Sequence, residues 1–460
     1  EKTPAHHTVD THVQHVQALH EAGERDLRFW SHDQQAAYRC LPLRNPFLAL
    51  LGLVTQLGPL LYQHMVLNFG AKGSVWAYNR FMDAVMMVLR LLFMISCGHY
   101  VDDLNGEEPA ATAQSAFDIT DELSAFLRWP MKPSKALPPA SRIIRLGTDW
   151  SADDKALTIG PKDGRTEALT ATIDECIACE SCTPPQAGTL AGKSSYVTTT
   201  SFGRVGRAPL KALFARQHDD SGSTGLAPAL RSSLSALRTI LAEISPRQIP
   251  LGMPRQHALV YADAFFKLGD TRHTAATWHS LRDFDPARAH LFENGFGFVI
   301  FPAGARRPVY VEGKIPAKFL AAFADRNQFI FFLETFAQCA ALWLFPHLLE
   351  GPVLAFDDNT ASEHALVRGY SSDNTTNVIV SHYWGAASAS RSSVWLERVP
   401  SAANIADPIS REDFAFAEAA GWVRVFPDFR KLWVVLRKIT RPPFDFSSVA
   451  LRKVLSATKF

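Results

Sequence analysis

Two adjacent carboxylates, Asp102 and Asp103, close the run Gly98-His99-Tyr100-Val101-Asp102-Asp103, and Leu104-Asn105-Gly106 follows at once. With the apolar stretch Val85-Met86-Met87-Val88-Leu89 leading on to Cys97, the segment reads as a strand–turn–strand hairpin with its acids at the tip. Side chains on an extended chain alternate faces, so one carboxylate can address a metal while its neighbour points elsewhere. An Asp-Asp pair alone is also an ordinary solvated turn, because Asp bonds its own backbone there. The residues around it therefore decide the reading.

The 460 residues are 47% apolar, enough for sizeable cores in about two to four domains. A formal charge of +2 is a weak electrostatic footprint, so clustering carries more weight than the total. Arg204, Arg207, Lys211 and Arg216 form one basic stretch, suited to a phosphate backbone or to a solvated helix face, and Arg424 to Lys459 forms a basic tail. Six irregularly placed cysteines in a chain this long point to a reducing compartment, not a disulfide framework. Cys176, Cys179 and Cys182 share one helix face and lack a fourth ligand at short spacing, which disfavours zinc. The opening Glu1-Lys2-Thr3-Pro4-Ala5-His6-His7 is too polar for a signal peptide, and its lack of an initiator Met suggests an excerpt of a longer polypeptide. Gln56, Gln63 and His64 interrupt the apolar run Phe47 to Leu67, which argues against membrane insertion.

In order, the sequence predicts a strand at Asp33, a helix from about Val75 to Leu91, the acidic hairpin, and one amphipathic helix over 107–130 whose apolar face carries Phe117, Ile119, Leu123, Phe126 and Leu127. Residues 131–150 return as strand; 151–250 alternate polar loops with short helices, Ser221 to Gly225 is a flexible loop, and Pro246 to Pro254 is a domain boundary. A buried-type strand, Ala258 to Ala264, then ends on Asp263. Gly295 to Phe301 and Pro308 to Val311 read as antiparallel partners, with Lys267 to Leu291 as an inserted loop. A helix over Phe329 to Leu344 carries Glu334 among Phe331, Phe332 and Leu333, where a carboxylate is costly to bury without a partner. The strand Val353 to Asn359 ends on Asp357 and Asp358. The helix Thr360 to Arg368 follows it, then the strand Trp395 to Ser401 and the segment Asn404 to Arg411, which opens a helix with Asp407 as a capping residue before Pro408.

Four segments of the first half, in order, resemble reverse transcriptases. Asp33 with Ala37-Tyr38 is similar to the first palm motif, Asn68-Phe69-Gly70-Ala71-Lys72-Gly73-Ser74 to the Gly-bearing loop, Tyr100-Val101-Asp102-Asp103 to the metal-binding hairpin, and Lys135 with Leu146-Gly147 to the segments that close the palm. The second half resembles ribonuclease H, and Asp358-Asn359 and Asn404-x-Ala406-Asp407-x-x-Ser410-Arg411 are similar to its retroelement forms. The chain thus looks like a reverse transcriptase of LTR or tyrosine-recombinase retrotransposons with a C-terminal ribonuclease H. The implied fold is an α+β palm and helical thumb or linker, followed by an α/β ribonuclease H-like domain with a mixed sheet. The implied layout is partial fingers and palm over 1–150, thumb and linker over 151–250, ribonuclease H over 251–420 and the basic tail over 421–460.

The resemblance implies Mg²⁺ or Mn²⁺, two per active site, because phosphoryl transfer needs hard oxygen ligands that neutralise attacking and leaving oxygens. Asp33 and Asp102 would hold the polymerase metals with help from Asp103, Tyr38 would exclude the ribose 2′-hydroxyl, and Lys135 would protonate pyrophosphate. Phe69 and Gly70 would line the nucleotide site; Lys72, Arg204 and Arg207 would meet nucleic acid. Asp263, Glu334, Asp358 and Asp407 would hold the nuclease metals, with Asp358 preferred to Asp357 because it directly precedes Asn359. The implied partners are an RNA template, a DNA primer, an RNA–DNA hybrid and deoxynucleoside triphosphates, with no membrane, in an intracellular setting of cytoplasm or nucleus. Two alternatives stay open: a ribonuclease H-competent fragment with an inactive polymerase, since little chain precedes Asp33 to form fingers, and a non-catalytic nucleic-acid-binding scaffold.

Overall fold

The computed structural model describes residues 7–436 apart from 57, 202–203, 253–255, 269–270, 273–291, 305–306, 317–318, 320–328, 431 and 434–435. Most of the expected inserted loop and of the basic tail lies outside these residues. The fold is mixed α/β, and the chain divides into two compact units, Glu1–Lys162 with Gln248–Met253, and Asp163–Arg247 with Pro254–Phe460.

The first unit runs α1 (Val9–Glu21), β1 (Leu27–Asp33), β2 (Leu50–Thr55), β3 (Gly58–Gln63), α2 (Lys72–Leu92), β4 (Cys97–Tyr100), β5 (Asp103–Pro109), α3 (Ala113–Phe126), β6 (Leu137–Ala140), β7 (Arg142–Arg145), β8 (Thr148–Ala152) and β9 (Ala156–Pro161). One sheet has the order β4-β5-β1-β6. A second is the meander β7-β8-β9, to which the chain later adds β10 (Arg247–Pro250) beside β9, where a boundary was expected. On α2, Tyr78, Met82, Val85, Met86 and Leu89 recur at helical spacing, and all are buried against Trp30, Cys97, Leu104 and Met131. Each such burial contributes about 1.5–3 kcal/mol, which holds the helix behind the β4–β5 hairpin.

The helix expected over 107–130 begins only at Ala113. Glu107 and Glu108, which resemble the polar face of a helix, are instead buried in β5 and paired with Phe29 and Arg28 of β1. The buried face of α3 is Ala113, Ala116, Thr120 and Ser124, so Phe126 lies exposed while Phe117, Ile119 and Leu123 are half-buried. The β2–β3 hairpin buries neither face: Leu51, Leu53, Val54, Leu61 and Tyr62 are all exposed, an apolar surface well above the scatter of a typical exterior.

Glu107 is the centre of an ionic cluster inside this unit. Its carboxylate accepts from His12 Nδ1 at 2.8 Å and His15 Nδ1 at 3.0 Å, and pairs with Arg145 Nη2 at 2.5 Å. The guanidinium of Arg145, fully buried, stands 4.3 Å from the Trp150 ring centroid and 5.2 Å from that of Phe29. Burial opposes charge on Glu107, but His12 and Arg145 hold its pKa well below the ordinary range. Burial outweighs Glu107 at His12 and lowers its pKa from the ordinary 6.5; His7 falls to about 4, first through burial and then through Arg90. The unfolded chain therefore takes up protons below pH 6.5 that the folded imidazoles refuse, and stability is lost as pH falls through that window. Hydrogen-exchange protection of β1 and β5, corrected for intrinsic rates, should decline from pH 7 to pH 5 and stay level above 7; protection that rises on acidification would refute this assignment.

The second unit opens with α4 (Arg165–Ala178), α5 (Pro184–Thr198), α6 (Arg207–Gln217) and α7 (Pro228–Glu243), which pack around Ile173, Leu190, Leu213, Leu234 and Leu237. Then come β11 (Ala258–Leu268), β12 (Thr271–Arg272), β13 (Phe292–Phe301), β14 (Val309–Gly313), α8 (Phe329–Leu344), β15 (Gly351–Asp357), α9 (Thr360–Arg368), α10 (Asn374–Ala389), β16 (Ser392–Arg398), α11 (Asp407–Ser410), α12 (Ala415–Ala419) and β17 (Val423–Arg424). The sheet order is β16-β15-β11-β13-β14-β17, with β12 beside β11. β11, β15 and β16 run parallel, whereas β11, β13 and β14 pair antiparallel. Both sheet faces are covered: Phe298 and Ile300 join the core with α8, whereas Val299 between them joins Tyr310, Ala406 and Ile409. α8, apolar on every side, is buried along 331–344, as its composition requires. α10 was not expected from the sequence; its start is capped by the Asp373 side chain accepting from Thr376 N–H.

Candidate active sites

In the first unit the β4–β5 hairpin closes on the pair Tyr100 and Asp103, leaving Val101 and Asp102 as its turn. Val101 has φ +52°, a conformation that costs a β-branched residue on the order of 1–2 kcal/mol and is held here by the flanking strands. Asp103 lies directly opposite Asp33 across β5 and β1, which places both side chains on one face, and Asp102 is tied to β1 by Gln34 N–H donating to its carbonyl at 3.0 Å. Burial pushes the Asp103 carboxyl up to about 6, followed by the charges of Asp102 and Asp33. So much negative charge in one place suits a divalent cation bound through oxygen.

Lys135, in a single turn before β6, is exposed and donates from Nζ to Asp33 Oδ2 at 2.5 Å. It therefore neutralises one of the expected metal ligands. Tyr38, at a kinked turn with Ala36 and Ala37 at positive φ, is half-buried, with its ring 5.1 Å from Phe69 and 5.2 Å from Tyr78. Burial, then the charge of Asp102, raises its pKa. Phe69 is exposed, Gly70 turns the chain with φ +89°, and Lys72 starts α2 at the surface.

In the second unit Tyr261 of β11 pairs in parallel with Phe356 of β15, so Asp263 and Asp358, each two positions further along, emerge side by side. Glu334 reaches them from the first turns of α8, its Oε2 accepting from Ala264 N–H at 3.0 Å. One oxygen from each of Asp263, Glu334 and Asp358 lies within 4.8 Å of the others. Asp263 and Glu334 are buried, and burial followed by neighbouring carboxylates raises the pKa of Glu334; burial is also the main cause raising that of Asp263, opposed by the Ser410 hydroxyl. Oδ1 of Asp358 is buried without a hydrogen-bond partner. Three crowded carboxylates with an unsatisfied oxygen fit a hard divalent cation.

Strand alternation separates Asp357 from Asp358. Asp357 is fully buried, accepts from Asn359 N–H at 2.9 Å and is raised to about 7 chiefly by burial. Asp407, the fourth expected acid, is gripped by Arg411, Nη2 to Oδ1 at 2.7 Å and Nε to Oδ2 at 3.1 Å. Ser410 Oγ donates to Asp263 Oδ2 at 2.5 Å, and Asn404 Nδ2 donates to the Ala262 carbonyl at 3.0 Å, so the α11 segment is fastened along β11. Neither Ser410 nor Arg411 was expected from the sequence to act in the site. The spacing of Arg411 four residues after Asp407 on a helix was the available signal.

The basic stretch of α6 is used within the unit. Arg207 donates to the carbonyl of Arg368, the last residue of α9, at 3.2 Å and Lys211 to that of Ser371, just past it, at 3.0 Å, and Arg204 lies beside Gly369. Arg216 is nearly buried and pairs with Asp219 at 2.7 Å.

No protein-family model matches the chain, and no curated protein matches it. Among solved structures it is similar to a foamy viral protease-reverse transcriptase (dRH) in complex with double-stranded DNA, at 10% identity over 82% of this chain and 57% of that one, with a TM-score of 0.38. It is likewise similar to the foamy viral protease-reverse transcriptase with double-stranded DNA (10% identity, 81% and 68% covered, TM-score 0.37). A third similar structure is that protein with an RNA/DNA hybrid (10%, 85% and 68%, TM-score 0.36). The chain thus spans little more than half the length of the first of these. Among the described residues, no helix is long and apolar enough to cross a membrane.

Proposed function

We propose that the chain is a retroelement-type RNA-directed DNA polymerase with ribonuclease H activity, using two-metal phosphoryl transfer at each site. The observation that carries this reading is the convergence of Asp263, Glu334 and Asp358 where the parallel pairing of β11 with β15 runs out beside a buried helix. With Asp407, these acids would hold Mg²⁺ or Mn²⁺, which supplies charge neutralisation and an activated water at the scissile phosphate. The substrate is the RNA strand of an RNA–DNA hybrid, told from DNA by its 2′-hydroxyls. In the first unit Asp33, Asp102 and Asp103 would hold the polymerase metals, and Tyr38 would press on the sugar of the incoming deoxynucleotide, beside Phe69 and Gly70. Lys135, paired with Asp33, would supply an ammonium proton to pyrophosphate. Lys72, Arg204 and Arg207 contribute phosphate contacts.

The test uses a labelled RNA–DNA hybrid with a primer end, deoxynucleotides and Mg²⁺ or Mn²⁺ in one tube. Asp102→Asn should remove extension and spare cleavage, whereas Asp358→Asn should do the reverse. Each loss should be on the order of 10³-fold, because several kcal/mol of charge stabilisation disappears. Cleavage without extension in the parent chain would leave only the nuclease half of the reading. Neither activity in well-folded protein would overturn it in favour of a nucleic-acid scaffold.

A further inference from the structure

Of the four acids assigned to the second site, three have no salt bridge to Lys or Arg among the described residues, and the fourth has both oxygens occupied by one guanidinium. Asp407 and Arg411 lie one turn apart, with side chains 33% and 30% exposed, so the pair is shielded enough to be firm yet open enough to exchange. In the same pose the Arg411 guanidinium lies 5.4 Å from the centroid of the Phe265 ring, on the strand that carries Asp263, so letting go of Asp407 need not take it away from that ring. The backbone of α11 is meanwhile fixed by Ser410 on Asp263 and by Asn404 on Ala262, so release of Asp407 requires only a side-chain movement of Arg411.

Resting on the metal-dependent reading of this site, we propose that Arg411 is a resident counter-cation that withholds Asp407, so that the site offers Asp263, Glu334 and Asp358 to a first ion and Asp407 to a second only when Arg411 lets go. Arg411 is thus a positioning residue. It acts through Asp407, keeps the fourth carboxylate ordered while no metal neutralises it, and makes the second ion the weaker one. A bidentate guanidinium competes as a planar fork; lysine, a point charge, competes less well.

The experiment is a calorimetric Mn²⁺ titration of the full chain, without nucleic acid, in an Asp102→Asn/Asp103→Asn background that leaves the second unit's acids intact. Arg411→Met should tighten the weaker Mn²⁺ affinity about tenfold and leave the tighter one unchanged, with Arg411→Lys falling between. Asp407→Asn should lose the weaker ion, and adding Arg411→Met to it should change nothing further. A weaker affinity unmoved, or loosened, in Arg411→Met overturns the proposal while leaving the metal site standing. Should Arg411→Met not fold, an unmoved or loosened weaker affinity in Arg411→Lys overturns it equally. Absence of any Mn²⁺ binding in the background protein would overturn the metal reading itself.

Discussion

Glu107→Ala should destabilise the first unit by about 3–5 kcal/mol, because it strips the counter-charge from a fully buried guanidinium. The carboxylate has three partners: His12 and Arg145 are buried with it, and only His15, with its side chain 21% exposed, meets water. The loss is a large share of the roughly 5–15 kcal/mol by which ordinary domains are stable. Stacking of Arg145 over Trp150 and Phe29 does not compensate, since a cation over a ring contributes about 2 kcal/mol even when desolvated. The double variant Glu107→Leu/Arg145→Met should recover most of the loss, because replacing a whole buried pair by apolar groups is often neutral. Denaturant unfolding of the three proteins checks this; a cost below about 1 kcal/mol for Glu107→Ala would mean that water reaches Arg145 and the cluster is not dry.

Nothing local in the sequence announces that cluster. His12 and Glu107 stand 95 positions apart, and Glu107 with Glu108 looks like the polar side of a helix. Only pairing across β1 and β5 shows that they are buried strand residues, Glu107 against Arg145 and two imidazoles and Glu108 against Ser96 N–H and the Thr112 hydroxyl. The acids of the candidate sites were legible for the opposite reason. Asp263 and Asp358 each follow a short apolar run, and such a run is driven into the sheet; Asp358 stands just past the end of β15, whereas Asp263, expected at a strand end, lies midway along β11, which continues to Leu268. Alternation along β15 also separates Asp358, beside Asp263, from Asp357, which faces inward. Glu334 was visible as one carboxylate in an apolar helix. Its partner, the Ala264 N–H, was not, because a backbone donor leaves no trace in side-chain identity. Arg411 and Lys135 show the limit most clearly. Spacing places them near acids, but only geometry shows both carboxylates already neutralised.

On the proposed function, Gly295→Ala should lower RNA cleavage about 10²-fold while leaving primer extension at the parent rate, because it moves the segment that carries Asp407 and Ser410 by roughly 1 Å. Gly295 sits on β13 opposite Phe265, and a Cβ there would lie 2.1 Å from the Ser410 carbonyl oxygen and 2.4 Å from Phe265 Cε1. Its next neighbour on the same face, Gly297, pairs with Asp263 and is equally close to α11, where a Cβ would stand 2.7 Å from Ser410 N. Space is therefore the constraint at both glycines. The strand must be bare for α11 to lie on it, and only that contact lets Ser410 Oγ reach Asp263. The nearest obstacle is backbone, which cannot swing aside as a flexible side chain would, so α11 itself has to move. Displacement separates Asp407 from Asp263 and breaks the Ser410 bond, a change confined to the second unit's candidate site. Cleavage and extension rates measured in one tube on the primed hybrid check this, and a cleavage rate within about threefold of the parent chain would mean that α11 adapts without disturbing the acids it carries.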